Sequence, residues 1–364
     1  MRERIRADLE RLMEIPGLSG HEDRVRADLA RALRAMGLAP RSDVAGNLVL
    51  TIPGDEAAPA VMLFAHMDQL GFVVRRVEAD GAVRVHRLGG VLERALASQA
   101  VLLMVGEGRD VPGVIATMSH HATPPEEKHR VVPALEIRID TGFASREALE
   151  AAGVRIGTPV VYRPQAIALG EGRVAGTSAD DRAGCAVLLE VARGLLGRSG
   201  GPTAHLVWSV QEEFNLRGAA LAAEALRPAL AIQIDLMIAA DTPETAHLGE
   251  MRLGGGPGMS LYSFHGRGTL NGVLPHPALV ALAEAAAEGE GLPLQRSAQV
   301  GVLTDLSYVQ LAGEGVAGLD LGFPLRGSHS STEVVDLADL EALARLLLAM
   351  LGRIGPDLAL ERAC

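Results

Sequence analysis

The chain has 364 residues, 48% hydrophobic and 22% charged, with a net charge of −11 from 34 Lys and Arg against 45 Asp and Glu. That balance excludes a disordered or collagen-like chain, the length fits two domains better than one, and the acidic excess leaves no phosphate-neutralising stripe for nucleic acid. Two cysteines, Cys185 and Cys364, cannot build a disulfide framework, and no run of 18 apolar residues offers a membrane span, so a cytoplasmic protein is expected.

In chain order, MRERIRADLERLMEI alternates charge and apolar residues at helical spacing and reads as a surface helix, not a secretory leader. Ser19 and Glu22, three apart, predict a capping box, with Val25, Leu29 and Leu33 as the buried stripe of the helix behind it. After the turn at Gly46-Asn47 come a strand over 48–52 and an unalternating apolar run over 60–65, the pattern of a buried parallel strand. From Gly71 to about Arg163 helical periodicity nearly vanishes. GFVVRRVE, AVRVHRL, AVLLMVGEG, GVIATM, LEIRID and PVVYRP predict six short strands of a small barrel or sandwich, with one helix over 144–153. Residues 71–163 are therefore expected to form an inserted β-rich domain, and residues 1–70 and 164–364 the α/β domain that it interrupts.

Beyond the insert the α/β alternation resumes. Helices are expected over 181–196, 219–226 and 277–288, strands over 205–210, 230–234 and 316–321, and a last helix opened by Asp336. The expected fold is a mixed, mainly parallel sheet flanked by helices, with an inserted β-barrel-like domain.

Chemistry-bearing residues cluster behind these strands. His66 ends VMLFA, and Asp68 two residues on could orient its ring, though a structural histidine fits equally. Asp180-Asp181 precede a helix, where carboxylates also serve as caps. Glu212 and Glu213 follow LVWSV. Their side chains would diverge in extended chain, one toward a cation and the other toward a substrate water. Asp235 ends LAIQI, where an unpartnered buried carboxylate would be costly. Asp241 reads as a turn former, and His329 lies in the Gly/Ser loop RGSHSS. In open parallel sheets ligands bind beyond the carboxyl ends of the strands, where these residues converge. Two histidines, three carboxylates and no cysteine suit a pair of divalent ions such as Zn, Co or Mn, with one Glu left over as a base.

The motifs AHMDQLGF, SADDRAGCAV, VQEEFNLRGA, IDLMIAADTP and PLRGSHSSTEVV resemble those of the tetrahedral, or TET-type, aminopeptidases. These include glutamyl and deblocking enzymes, and some members carry an endoglucanase label. The resemblance runs from MEIPGLSGHEDRV and DVAGNL through the insert to the last helix. It implies that His66 and Asp235 hold one metal, Glu213 and His329 the other, that Asp180 bridges them, that Glu212 is the general base and that Asp68 orients His66. It further implies hydrolysis of N-terminal residues from short peptides by a hydroxide held between the metals, and dodecamers built from dimers of the inserted domain. A mean hydropathy of +0.20 in a chain without a span fits such a homo-oligomer. Gln69, Phe214-Asn215, Gly327-Ser328 and Gly255 depart from the usual pattern, the last where relatives often carry Lys.

Two other readings compete: a glycoside hydrolase using Glu212 and Glu213 as its acid and base, and a catalytically idle assembly protein of the same fold. For the pocket, Met251, Leu253 and Leu303 are expected as apolar lining and Arg252 as a solvated charge, which favours neutral apolar N-termini over acidic ones.

Overall fold

Four apolar runs build the centre of the protein in the computed structural model, which describes residues 1–362 other than 107, 199 and 267–270. Cys364 lies outside the described residues. Ala204–Ser209, Val61–His66, Leu230–Ile238 and Ala317–Arg326 pair in that order as parallel strands. They are buried on both faces, so their sequences read as continuous apolar runs. Antiparallel neighbours, Leu48–Ile52 on one side and Glu333–Asp336 on the other, help extend the sheet to twelve strands.

Alternation along each central strand divides its side chains between two cores. Val61, Leu63 and Ala65 join the larger core, which the helices Arg2–Met13, Ala179–Gly194, Pro277–Gly289 and Leu337–Arg353 cover. Met62 and Phe64 point to the other face, against Gly218–Leu226 and Leu306–Val309. Trp208, wholly buried in the larger core, donates its indole N–H to the Cys185 carbonyl at 3.2 Å. Truncating a side chain of that size would cost ~3–5 kcal/mol.

The six short stretches of the insert are the six strands of a closed barrel. They run Gly71–Val77, Val83–Leu88, Ile139–Asp140, Val111–Ile115, Ala100–Leu103 and Pro159–Tyr162 around it. Its core of Phe72, Val85, Val101, Ile139 and Tyr162 is separate from the other two. The expected helix is Arg146–Ala151, with the Ser145 hydroxyl accepting from the Ala148 N–H.

Several local expectations give way. The capping box does not form: Asp23–Ala35 starts without a side-chain cap, because Ser19 and Glu22 bond elsewhere, as described below. Backbone angles at Asp180 and Asp181 are non-helical, so the helix proper begins after them, with Asp181 Oδ1 accepting from the Gly184 N–H at 3.0 Å. Capping is thus the role of Asp181 and not of Asp180. Asp235 lies inside its strand instead of closing it, since pairing with Ala317–Arg326 carries the ladder on to Ile238. Glu212 and Glu213 lie in a turn past Ser209, not on extended chain.

Candidate metal centre

Side chains from five segments meet at the carboxyl end of the parallel strands. His66, the last residue of its strand, lies level with Ser209 of the neighbour, and Asp235 lies level with Gly322. Ligand atoms of His66, Asp180 and Asp235 fall within 4.8 Å of one another, and so do those of Asp180, Glu213 and His329. Asp180 belongs to both groups. His66 Nε2 is 3.0 Å from Asp180 Oδ1, and His329 Nε2 is 3.4 Å from Asp180 Oδ2 and 3.7 Å from Glu213 Oε1. Glu212 Oε2 is 4.0 Å from His66 Nε2. The two consecutive glutamates therefore address different histidines.

Hydrogen bonds behind these atoms fix their orientation. His66 Nδ1 donates to the Asp68 carbonyl at 3.2 Å with the Asp68 carboxylate 3.4 Å away, which directs Nε2 to the centre. The Asp68 carboxylate also accepts the Glu212 and Glu213 N–H groups, both at 3.0 Å, and the Ser19 hydroxyl at 2.7 Å. Glu22 Oε1 accepts from the Gln211 N–H at 3.1 Å. Three successive amides are thus gathered by two buried carboxylates, and that shapes the turn carrying Glu212. Glu333 accepts from the backbone N–H of both Asp180, at 2.9 Å, and His329, at 2.8 Å. Asp235 accepts from Gln233 Nε2 at 2.9 Å and from its neighbour's N–H at Leu236. Ser19, Glu22 and Glu333 escape the sequence reading as supports of this centre, as does Asp181, whose Oδ2 accepts from the His66 N–H at 3.1 Å. Their bonds span up to 189 residues along the chain, and no spacing signals them.

The centre carries more negative charge than the protein neutralises. Burial raises the carboxyls of Glu212, Glu213 and Asp235, Glu213 and Asp235 to about 7 with Asp180 adding to both, and Glu212 well above its usual range. Asp180 is held low despite burial by hydrogen bonds from His329 and His66. Burial opposes the His66 imidazolium, yet Asp180 and Asp68 lift its pKa well above the ordinary value. Among the described residues no Arg or Lys forms an ion pair with Asp180, Glu212, Glu213 or Asp235. Carboxylate oxygens and imidazole nitrogens with an uncompensated charge fit divalent cations of hard-to-borderline character.

Asp180, Glu212, Glu213, Asp235 and His329 face a cavity of about 650 Å³, walled by Leu92, Leu216, Leu236, Ile238, Leu303 and Tyr308. Leu303 lines it as expected. Met251 and Leu253 do not, being packed in the interior next to a loop whose ends Asp241 secures, accepting from the Leu253 N–H and pairing with Arg326 at 2.7 and 2.8 Å. Arg252 is exposed outside the cavity, and among the described residues no Arg or Lys lines it. The unusual positions have local reasons. Gly327 takes φ +71 beside the Thr332 carbonyl, where a Cβ would approach to 2.9 Å, and Asn215 takes φ +67, which asparagine tolerates. Gln69 Oε1 accepts from the Gly17 N–H at 3.0 Å, Phe214 lies under the Arg217 guanidinium, and a Cβ at Gly255 would meet the Gln295 amide.

Residues 46–346 match the family described as M42 glutamyl aminopeptidase. The lysyl aminopeptidase of Pyrococcus furiosus is 31% identical over 351 residues, 96% of this chain and 97% of that protein. Aminopeptidase APDkam598 from Desulfurococcus kamchatkensis superposes with a TM-score of 0.91 at 32% identity, covering 98% of this chain and 96% of its own. The Pyrococcus horikoshii TET1 peptidase, which can assemble into a tetrahedron or a large octahedral shell, gives a TM-score of 0.85 at 26% identity over 95% and 99% of the two chains. This chain belongs to the M42 glutamyl aminopeptidase family and is a peptide hydrolase.

Proposed function

We propose that the protein is a two-metal aminopeptidase that removes N-terminal residues from short peptides. The observation that carries this is Asp180, shared by two ligand groups at the rim of one cavity, with a fourth carboxylate, Glu212, 4.0 Å from the His66 ring. His66 and Asp235 would hold one divalent ion, Glu213 and His329 the other, and Asp180 both; Zn or Co suits the donor set, as does Mn. Bound there, the ions polarise the scissile carbonyl, lower the pKa of water and anchor the substrate's free amine. Glu212 takes a proton from the attacking water and delivers it to the departing amine. Asp68 keeps the His66 ring in register and, through its two amide bonds, holds Glu212 at the cavity wall. The apolar wall without a lining Arg or Lys among the described residues favours neutral N-terminal residues over acidic ones, whose carboxylate would be buried unpaired. Glu212 and Glu213 face different histidines, which does not suit a pair flanking one glycosidic bond.

For assembly we infer a homo-oligomer, a dodecamer built through the barrel of residues 71–163, with residues 1–70 and 164–364 as the catalytic unit. Exposed Val114, Met118, Val131, Val132 and Leu135 on the barrel support an interface there. A panel of aminoacyl nitroanilides, with and without added Co or Zn and after chelation, tests the function. Turnover that needs free N-termini and is lost on chelation is expected; none with metal supplied would refute the reading. Light scattering at micromolar concentration tests the assembly, and a monomeric mass would refute it.

A further inference from the structure

The proposed centre accounts for the amino end of a peptide, and another wall of the same cavity carries an imidazole that the centre does not use. His265 follows the strand Gly258–Phe264 and lines the cavity beside Gly301 and Val302. Gly301 donates its N–H to the Phe264 carbonyl at 2.8 Å, which ties the two segments together at this point. The strand pairs with Ala317–Arg326 at Gly258 and Met259, so His265 stands six residues, about 20 Å of extended chain, past that pairing. It belongs to a wall built apart from the strands that carry His66 and Asp235. The ring is half-buried, and its Nδ1 is enclosed without a hydrogen-bond partner. With no acceptor beside Nδ1, the neutral ring carries its proton on Nε2 and presents a donor there. Among the described residues nothing accepts from Nε2, which is not enclosed as Nδ1 is.

A peptide held by its amine at the centre has a carboxylate at its other end. A rounded space of about 650 Å³ is about 11 Å across, and about three residues of extended chain, at ~3.3–3.6 Å each, span that width. The carboxylate of a di- or tripeptide thus ends inside the cavity, where leaving it unpaired is costly. Among the described residues no Arg or Lys lines the space to meet it. Ser328 adjoins the proposed ligand His329, at the wrong end of the peptide, and Asn215 and Tyr308 are exposed to water. The half-buried ring N–H of His265 gives up less hydration than either when a carboxylate binds.

We propose that His265 binds the C-terminal carboxylate of di- and tripeptides whose amine sits at the centre, so that the enzyme selects its substrates by their length and their free C-terminus. The inference rests on the two-metal aminopeptidase reading and adds the residue that recognises the far end of the substrate. Leucyl-glycine and leucyl-glycyl-glycine, each as the free acid and as the C-terminal amide, test it with the metal-loaded full chain. For at least one of the two lengths the acid is expected to exceed its amide in kcat/KM by about tenfold, the scale of one hydrogen bond to a charged group. His265→Phe should bring that ratio near one, through KM more than through kcat, and His265→Gln, which keeps an N–H donor, should retain part of it. Ratios near or below one at both lengths in the native protein overturn the assignment whether or not a variant folds. So does a ratio unmoved by His265→Phe. In either case turnover of any of these peptides leaves the aminopeptidase reading standing. Turnover of none, with metal supplied, refutes both.

Discussion

The carbonyl oxygen of Gly90 lies 2.9 Å from His329 Nδ1, so a residue of the barrel segment fixes the ring of a histidine that follows a strand of the main sheet. The Leu92 N–H returns a bond to the His329 carbonyl at 3.3 Å. A Cβ at Gly90 would come within 2.6 Å of that ring nitrogen. Gly90→Ala should displace the ring and weaken the ion proposed to sit between His329 and Glu213, by the ~10–100-fold typical of lost supports of a metal ligand. Metal content after dialysis, counted per chain, checks this. Two ions retained with native affinity would show that the ring can shift without consequence.

Glu212→Gln keeps the size of the side chain and removes its capacity to accept a proton. The variant should fold and load metal normally, yet turn over ~10²-fold or more slowly. Glu213→Gln should instead lower metal affinity, since its carboxylate lies 3.7 Å from His329 Nε2. Near-native turnover in Glu212→Gln would move the base elsewhere.

Ser19→Ala removes a buried hydroxyl donor from the Asp68 carboxylate, and such charge-assisted bonds contribute ~1.5–3 kcal/mol. Glu22→Gln weakens the grip on the Gln211 amide one residue before the proposed base. Because both bonds act on the same turn, the double variant should be non-additive by ~0.5 kcal/mol or more in urea unfolding. Strict additivity would mean that the two carboxylates hold the turn independently.

The parallel strands and the barrel strands were legible because burial on two faces, and the short rhythm of β segments and turns, leave marks within a few residues. Four of the five proposed ligands were legible for a related reason: His66, Glu213, Asp235 and His329 each lie in or just past a strand, whereas Asp180 stands at the start of a helix, where a carboxylate equally suits a cap. Ser19 and Glu22 have the spacing of a capping box, and nothing local says that the helix forgoes it. What decides is the Asp68 carboxylate and the Gln211 amide, brought alongside by the sheet. Met251 and Leu253 misled for a similar reason. An apolar residue in a loop near the site fits equally a pocket wall or the interior behind it, and the Asp241–Arg326 pair that sets the loop's course joins residues 85 apart.

Arg24 of the helix Asp23–Ala35 reaches the barrel through Asp110, at 2.5 and 2.9 Å. Burial of Asp110 favours the neutral acid, but hydrogen bonds from Arg24 and the Gly106 N–H outweigh it and hold the pKa below the ordinary carboxylate value. A depressed native pKa stabilises the fold above the unfolded-state value, near 4 for aspartate, and that stability is lost as pH falls through the native value. Both side chains are partly exposed, so solvent screening limits the contribution to ~1 kcal/mol or less. Asp110→Asn should therefore unfold at a lower urea concentration than the native chain at pH 7, with the gap closing below about pH 4. It should also narrow in molar salt, as a screened pair requires. A gap that persists unchanged at pH 3 would assign the loss to packing of the loop and not to the charge on Asp110.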